Sequence, residues 1–110
     1  MSIAAGSTLI EVTTTVASQI QARELASVLL QHRLAACVQV TAVESHYRWQ
    51  GELQQEQEYQ LRLKTRQDRF QSIARLLAER HPYELPQLLA TEITGSSEAY
   101  AAWLHQQLED

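Results

Sequence analysis

The chain has 110 residues, 45% hydrophobic and 20% charged, with a formal net charge of −4 at neutral pH. That is one domain spanning residues 1–110, large enough for a real core, and its acidic balance excludes a dedicated nucleic-acid binder and a polybasic membrane contact. The single cysteine, Cys37, excludes an internal disulfide and any Cys-x-x-Cys motif, and Met1–Gly6 carry no basic region, so a cytoplasmic setting without a secretory signal is expected.

Thr8–Thr15 is rich in β-branched residues and reads as a strand. Ser18 is placed to cap a helix whose apolar face is Ile20, Leu25, Val28 and Leu29, with His32 and Arg33 in its last turn. A second strand opens at Leu34–Val40 and runs on through Tyr47 and Trp49. Val38 and Val40 share one parity while Val43, Tyr47 and Trp49 share the other, which predicts a bulge or bend between Thr41 and Ser45. Gln50-Gly51 makes a tight turn. Tyr59, Leu61, Leu63 and Thr65 then alternate with Glu58, Gln60, Arg62, Lys64 and Arg66, the pattern of a half-buried antiparallel strand.

Asp68 is expected to cap a second helix with the face Phe70, Ile73, Leu76 and Leu77. His81-Pro82-Tyr83-Glu84-Leu85-Pro86 follows and holds both prolines. Each proline fixes its own φ and removes a donor. Each also holds the residue before it extended, so this segment is a stiff strap carrying an imidazole, a phenol and a carboxylate. Leu88–Ile93 is a short strand, and Gly95-Ser96 lead into a helix with Tyr100, Trp103, Leu104 and Leu108 on one stripe.

The order βαββαβ plus a terminal helix is the α+β, ferredoxin-like split-βαβ plan. Its central hairpin, from about Ala36 to Arg66, gives arms that reach ~45 Å at ~3.3 Å per residue. Helices of ~20 Å cover only half of that. The overhang carries Tyr47, Trp49 and Leu53, which are poor residues to leave in water. A second copy of the chain should cover them, and a hairpin reaching into its neighbour is a head-to-tail contact that closes as a ring.

Five segments carry a resemblance. They are Arg33-Leu34-Ala35-Ala36-Cys37, Ser45-x-Tyr47-x-Trp49-x-Gly51, Glu58 with Lys64-Thr65, His81-Pro82-Tyr83-Glu84-x-Pro86, and Tyr100-x-x-Trp103-Leu104. In this order and spacing they resemble the CutA divalent-cation tolerance proteins over nearly the whole chain. The resemblance implies a homotrimer, similar in architecture to the nitrogen-regulatory signal-transduction trimers, in which small ligands bind in clefts between subunits. It also implies a role in the response to copper and other divalent cations. No cofactor is expected to be required for folding. Some family members add a cysteine in the first strand and a histidine before the His-Pro-Tyr motif. This chain has Thr13-Thr14 and Arg80 there, without that thiol or imidazole.

The metal candidates are His81 and Cys37, because imidazole suits copper and zinc and thiolate suits copper(I). Each has a structural alternative: His81 as a cap on the preceding helix's carbonyls, and Cys37 as a small core residue. Tyr47, Trp49, Glu58, Lys64, His81, Tyr83 and Glu84 are expected to line a cleft between subunits, where they suit a small anionic or zwitterionic ligand. Interface packing is the alternative for Trp49, and a solvated strand face the alternative for Glu58 and Lys64. An enzyme is not expected. The only glycines are Gly6, Gly51 and Gly95, and neither Gly-x-Ser-x-Gly nor His-Glu-x-x-His occurs. Three roles remain: a trimeric divalent-cation tolerance protein with weak copper binding, a trimer sensing a small molecule in its cleft, or a structural or partner-binding trimer.

Overall fold

Four buried residues of the first strand, Ile10, Val12, Thr14 and Val16, sit opposite apolar or threonine residues of the long return strand, and that pairing sets the core. The structure is a computed structural model and describes residues 7–109. Met1–Gly6, on which the N-terminal reading rests, lie outside the described residues. The elements run β1 (Leu9–Val16), α1 (Gln19–Gln31), β2 (Cys37–Trp49), β3 (Glu52–Arg66), α2 (Phe70–Arg80), β4 (Leu89–Glu92) and α3 (Glu98–Leu108). The strands form one antiparallel sheet in the order β2-β3-β1-β4, the split-βαβ arrangement that the element order predicts.

Register decides which side chains meet. Ile10, Val12, Thr14 and Val16 lie opposite Thr65, Leu63, Leu61 and Tyr59. This face packs against Ala22, Leu25 and Leu29 of α1 and Ile73 and Leu77 of α2. Leu29, Leu61, Leu63 and Ile73 are wholly buried, each contributing about 1.5–3 kcal/mol by its removal from water. Two threonines on the buried face satisfy their hydroxyls locally. Thr65 Oγ1 donates to the Leu34 carbonyl at 2.7 Å, and Thr14 Oγ1 lies 3.2 Å from His81 Nε2.

Ser18 caps α1, its Oγ accepting from the Gln21 amide. Ile20 does not join the buried face. It is 67% exposed, and Ala22 takes its place beside Leu25 and Leu29, because the helical repeat puts those three on the side that meets the sheet and Ile20 on the other. Arg33 lies beyond the last turn, at φ 55°. Its amide donates to the Leu30 carbonyl and that of Leu34 to the Leu29 carbonyl, the paired bonds of a Schellman ending, with arginine where glycine is usual. The same arginine reaches α3, where its guanidinium donates to the Gln107 carbonyl at 2.9 Å. Arg69 donates to the Leu108 carbonyl at 2.6 Å, so two cations cap the negative end of that helix.

Three further expectations are corrected. No bulge interrupts β2: its pairing with β3 is continuous from Cys37–Lys64 to Trp49–Glu52. The parity switch instead marks a change in which face is covered. At the base of the hairpin Val38, Tyr59, Leu61 and Leu63 pack on the core; further out Tyr47 and Trp49, on the opposite face, border the strap. Asp68 does not cap α2. A 3-10 turn, Gln67–Arg69, precedes that helix, and the Asp68 carboxylate accepts from Arg66 Nε at 3.1 Å instead. In α3 only Leu104 and Leu108 of the predicted stripe are buried, while Tyr100 and Trp103 face outward, their rings 5.3 Å apart.

The hairpin has the length its sequence implies. β1 covers β3 only from Tyr59 to Arg66, leaving the pairs from Val43–Glu58 to Trp49–Glu52 outside the rest of the sheet. The molecule is accordingly 50 Å long but only 25 by 22 Å across.

Candidate functional site

The strap begins where α2 must stop. Pro82 bars His81 from helical geometry, and His81 leaves the helix extended, at φ −74° and ψ 136°, its amide still donating to the Leu77 carbonyl. The imidazole does not cap the helix. Its Nε2 lies 2.9 Å from the Thr15 carbonyl, which only accepts, so that nitrogen carries the proton. Nδ1 then accepts from the Tyr83 amide at 3.1 Å. Both nitrogens are thus engaged in fastening the strap to the end of β1. Burial holds the His81 pKa below the usual histidine value, opposed in part by the Thr15 carbonyl and by Glu58.

Two further bonds fix the strap. The Tyr83 hydroxyl donates to the Glu58 carboxylate at 2.7 Å, and Gln87 Nε2 donates to Thr13 Oγ1 at 3.1 Å. Burial, then Glu58, push the Tyr83 phenol far above its ordinary pKa, so it remains a donor at every physiological pH. Glu58 is 6% exposed, an unusual depth for a carboxylate, and the phenol partners it there.

Between strap and overhanging hairpin lies an open cleft of about 900 Å³. Five of the predicted lining residues meet in it: Tyr47, Trp49, Glu58, Tyr83 and Glu84. Two do not. His81 is turned inward beneath the strap, and Lys64 sits further along β3, bonded to Glu11 and separate from the lining. Sequence reasoning missed Glu56, Gln54 and His46, which also line the cleft. Glu56 and Gln54 continue the parity of Glu58, the signal by which they were findable. Burial, then the Glu56 carboxylate, raise the Tyr47 phenol. Cys37 lies at the opposite end of β2, half-buried and across from Lys64. Among the described residues no group of three or more His, Cys, Asp or Glu is arranged to hold a metal ion.

A family model described as CutA1 divalent ion tolerance protein matches residues 10–107. The chain belongs to the CutA1 divalent ion tolerance protein family. A CutA relative from Thermus thermophilus is 38% identical over 84% of this chain and 90% of its own. A chloroplastic CutA protein of Arabidopsis thaliana is 36% identical over 82% of this chain, which spans half of that relative's length. A CutA structure from Synechococcus elongatus superposes with a TM-score of 0.90 at 37% identity, covering 94% of this chain and 92% of its own. A second structure of that protein, complexed with a Bis-Tris molecule, gives 0.85 at 35% identity, covering 91% of this chain and 93% of its own. The fold of the CutA1 family is therefore present with its hairpin and strap. No helix among the described residues is long and apolar enough to cross a membrane.

Proposed function

We propose that this chain serves divalent-cation tolerance as a homotrimer that binds a small molecule in the cleft between its strap and its overhanging hairpin, a neighbouring subunit completing the walls. The observation that carries this reading is the cleft itself. About 900 Å³ falls within the size range of small-ligand sites, and its walls combine three aromatic side chains with convergent carboxylates. The Synechococcus elongatus relative complexed with Bis-Tris supports it, because that relative accepts a compact organic molecule. The hairpin overhang and the family resemblance support the trimer, and the lone cysteine favours the cytoplasm; the chloroplastic relative means that family membership alone fixes no compartment. The role is binding, not catalysis.

Copper or another divalent cation is the second reading, favoured by the family's description. In this reading ions bind weakly, at positions shared between subunits. His81 has both ring nitrogens engaged, so a metal there must displace the Tyr83 amide, and Cys37 is left as the softer candidate for copper(I).

Size exclusion with light scattering checks the trimer, and a thermal-shift screen with metabolites checks the cleft. A stabilising compound whose effect is lost in Glu84→Ala supports the first reading; no response across the screen counts against it. Equilibrium dialysis with copper(II) and zinc, wild type against His81→Ala and Cys37→Ser, decides the second. Undiminished uptake by either variant removes that residue from the ligand set.

A further inference from the structure

We infer that the cleft selects an organic cation, an alkylammonium group, over neutral or anionic compounds of the same shape. This rests on the small-molecule reading above and gives its ligand a chemical class. Among the described residues, the lining contains Glu56, Glu58 and Glu84 and no lysine or arginine. The one basic side chain in it, His46, is held 3.2 Å from the Glu44 carboxylate. Lys64, the cation whose strand parity suggested an anionic ligand, is neutralised by Glu11 and lies outside the lining. An anion entering this space meets three carboxylates, one of them buried, and gains no opposite charge within the subunit.

The aromatic residues sharpen the choice. Tyr47, Trp49 and Tyr83 border the same space, and ring faces attract cations through their quadrupoles. A divalent metal ion fits this arrangement poorly. It is strongly hydrated and needs several ligands at close range, whereas the described residues offer no such cluster and the cleft is large at about 900 Å³. An alkylammonium ion is the reverse case, weakly hydrated and bulky, with apolar methyl or methylene groups to lay against the rings while its charge faces the carboxylates.

Three compounds of one shape test this: choline, 3,3-dimethylbutan-1-ol, which replaces its nitrogen by carbon, and the anion 3,3-dimethylbutanoate. The chain has two tryptophans, so in Trp103→Phe the emission reports Trp49 alone; calorimetry on the wild-type protein is the parallel measurement should that variant fold poorly. Choline is expected to bind at least about tenfold more tightly than the alcohol, with the preference reduced in both Glu56→Gln and Glu84→Gln. Equal affinity for choline and alcohol, or preference for the anion, overturns the cationic class while leaving the cleft a small-molecule site. Binding of none of the three overturns the inference too; if the metabolite screen is also silent, the small-molecule reading falls with it. A choline preference untouched by either glutamate substitution overturns the assignment to these carboxylates.

Discussion

The Tyr83 hydroxyl donates to the Glu58 carboxylate at 2.7 Å, joining the strap to β3 at the inner wall of the cleft. Glu58 is almost wholly buried, so its carboxylate depends on this partner for a hydrogen bond. Tyr83→Phe keeps the ring and removes only the donor, leaving a buried acceptor unsatisfied. The variant should lose about 1–3 kcal/mol, seen as a lower urea midpoint with an unchanged slope. The double variant Tyr83→Phe/Glu58→Leu should recover part of the loss, since neither partner is then orphaned. An unchanged midpoint in Tyr83→Phe would mean that water replaces the phenol.

His81 should make the fold sensitive to mild acid. Its folded-state pKa is lowered, chiefly by burial, so between that value and the ordinary 6.5 the unfolded chain binds more protons than the folded one. Stability therefore rises with pH across this window. The contribution is complete above about 6.5 and is lost as pH falls through the lowered value. Protonation also turns Nδ1 into a donor facing the Tyr83 amide, breaking the bond that orders the strap. Melting temperatures from pH 7.5 to 5 should fall more steeply in wild type than in His81→Gln. Parallel curves would show that the carboxylates alone set the acid response.

Much of this was legible along the chain, and the failures share a cause. The alternation from Tyr59 to Thr65 reported a half-buried strand because one face meets the helices and the other does not. The two prolines marked the strap because their constraint is local. Lys64 misled because parity gives a face and not a distance. Six residues separate it from Glu58, ~20 Å along a strand, and its partner Glu11 is set by a register with β1 that no local pattern fixes. The predicted bulge failed similarly: a switch of apolar parity reports a change in what covers the ribbon as readily as a change in its backbone. Glu56 was overlooked although it extends the parity that singled out Glu58.

The hairpin turn offers two adjacent substitutions with opposite signs. Gln50 and Gly51 have φ of 51° and 82°, the pair of positive values that a two-residue type I′ turn requires. Asparagine adopts this conformation more readily than glutamine, so Gln50→Asn should stabilise by about 0.5 kcal/mol. Gly51→Ala meets open space yet should cost about 1–2 kcal/mol, because the left-handed conformation alone opposes a Cβ. Chemical denaturation of both variants checks the pair; a loss in Gln50→Asn would show that the glutamine side chain has a partner in the assembly.

Leu53 separates what one subunit needs from what an assembly needs. It lies opposite Arg48 on the face that packs against helices nearer the sheet, but the helices do not reach this far and it is 77% exposed. Within a single subunit Leu53→Glu should change stability by no more than about 0.5 kcal/mol, as at other surface positions. Any larger effect must come through another copy. The wild-type protein is expected to scatter light as three chains of 12.5 kDa and to melt at a temperature that rises with concentration. Leu53→Glu should shift the scattering mass toward smaller species and lower the melting temperature in the same samples. If the variant keeps both, subunits do not meet at this residue. A wild-type protein that scatters as one chain removes the neighbouring wall of the cleft and leaves its ligand only the strap and ribbon of a single subunit.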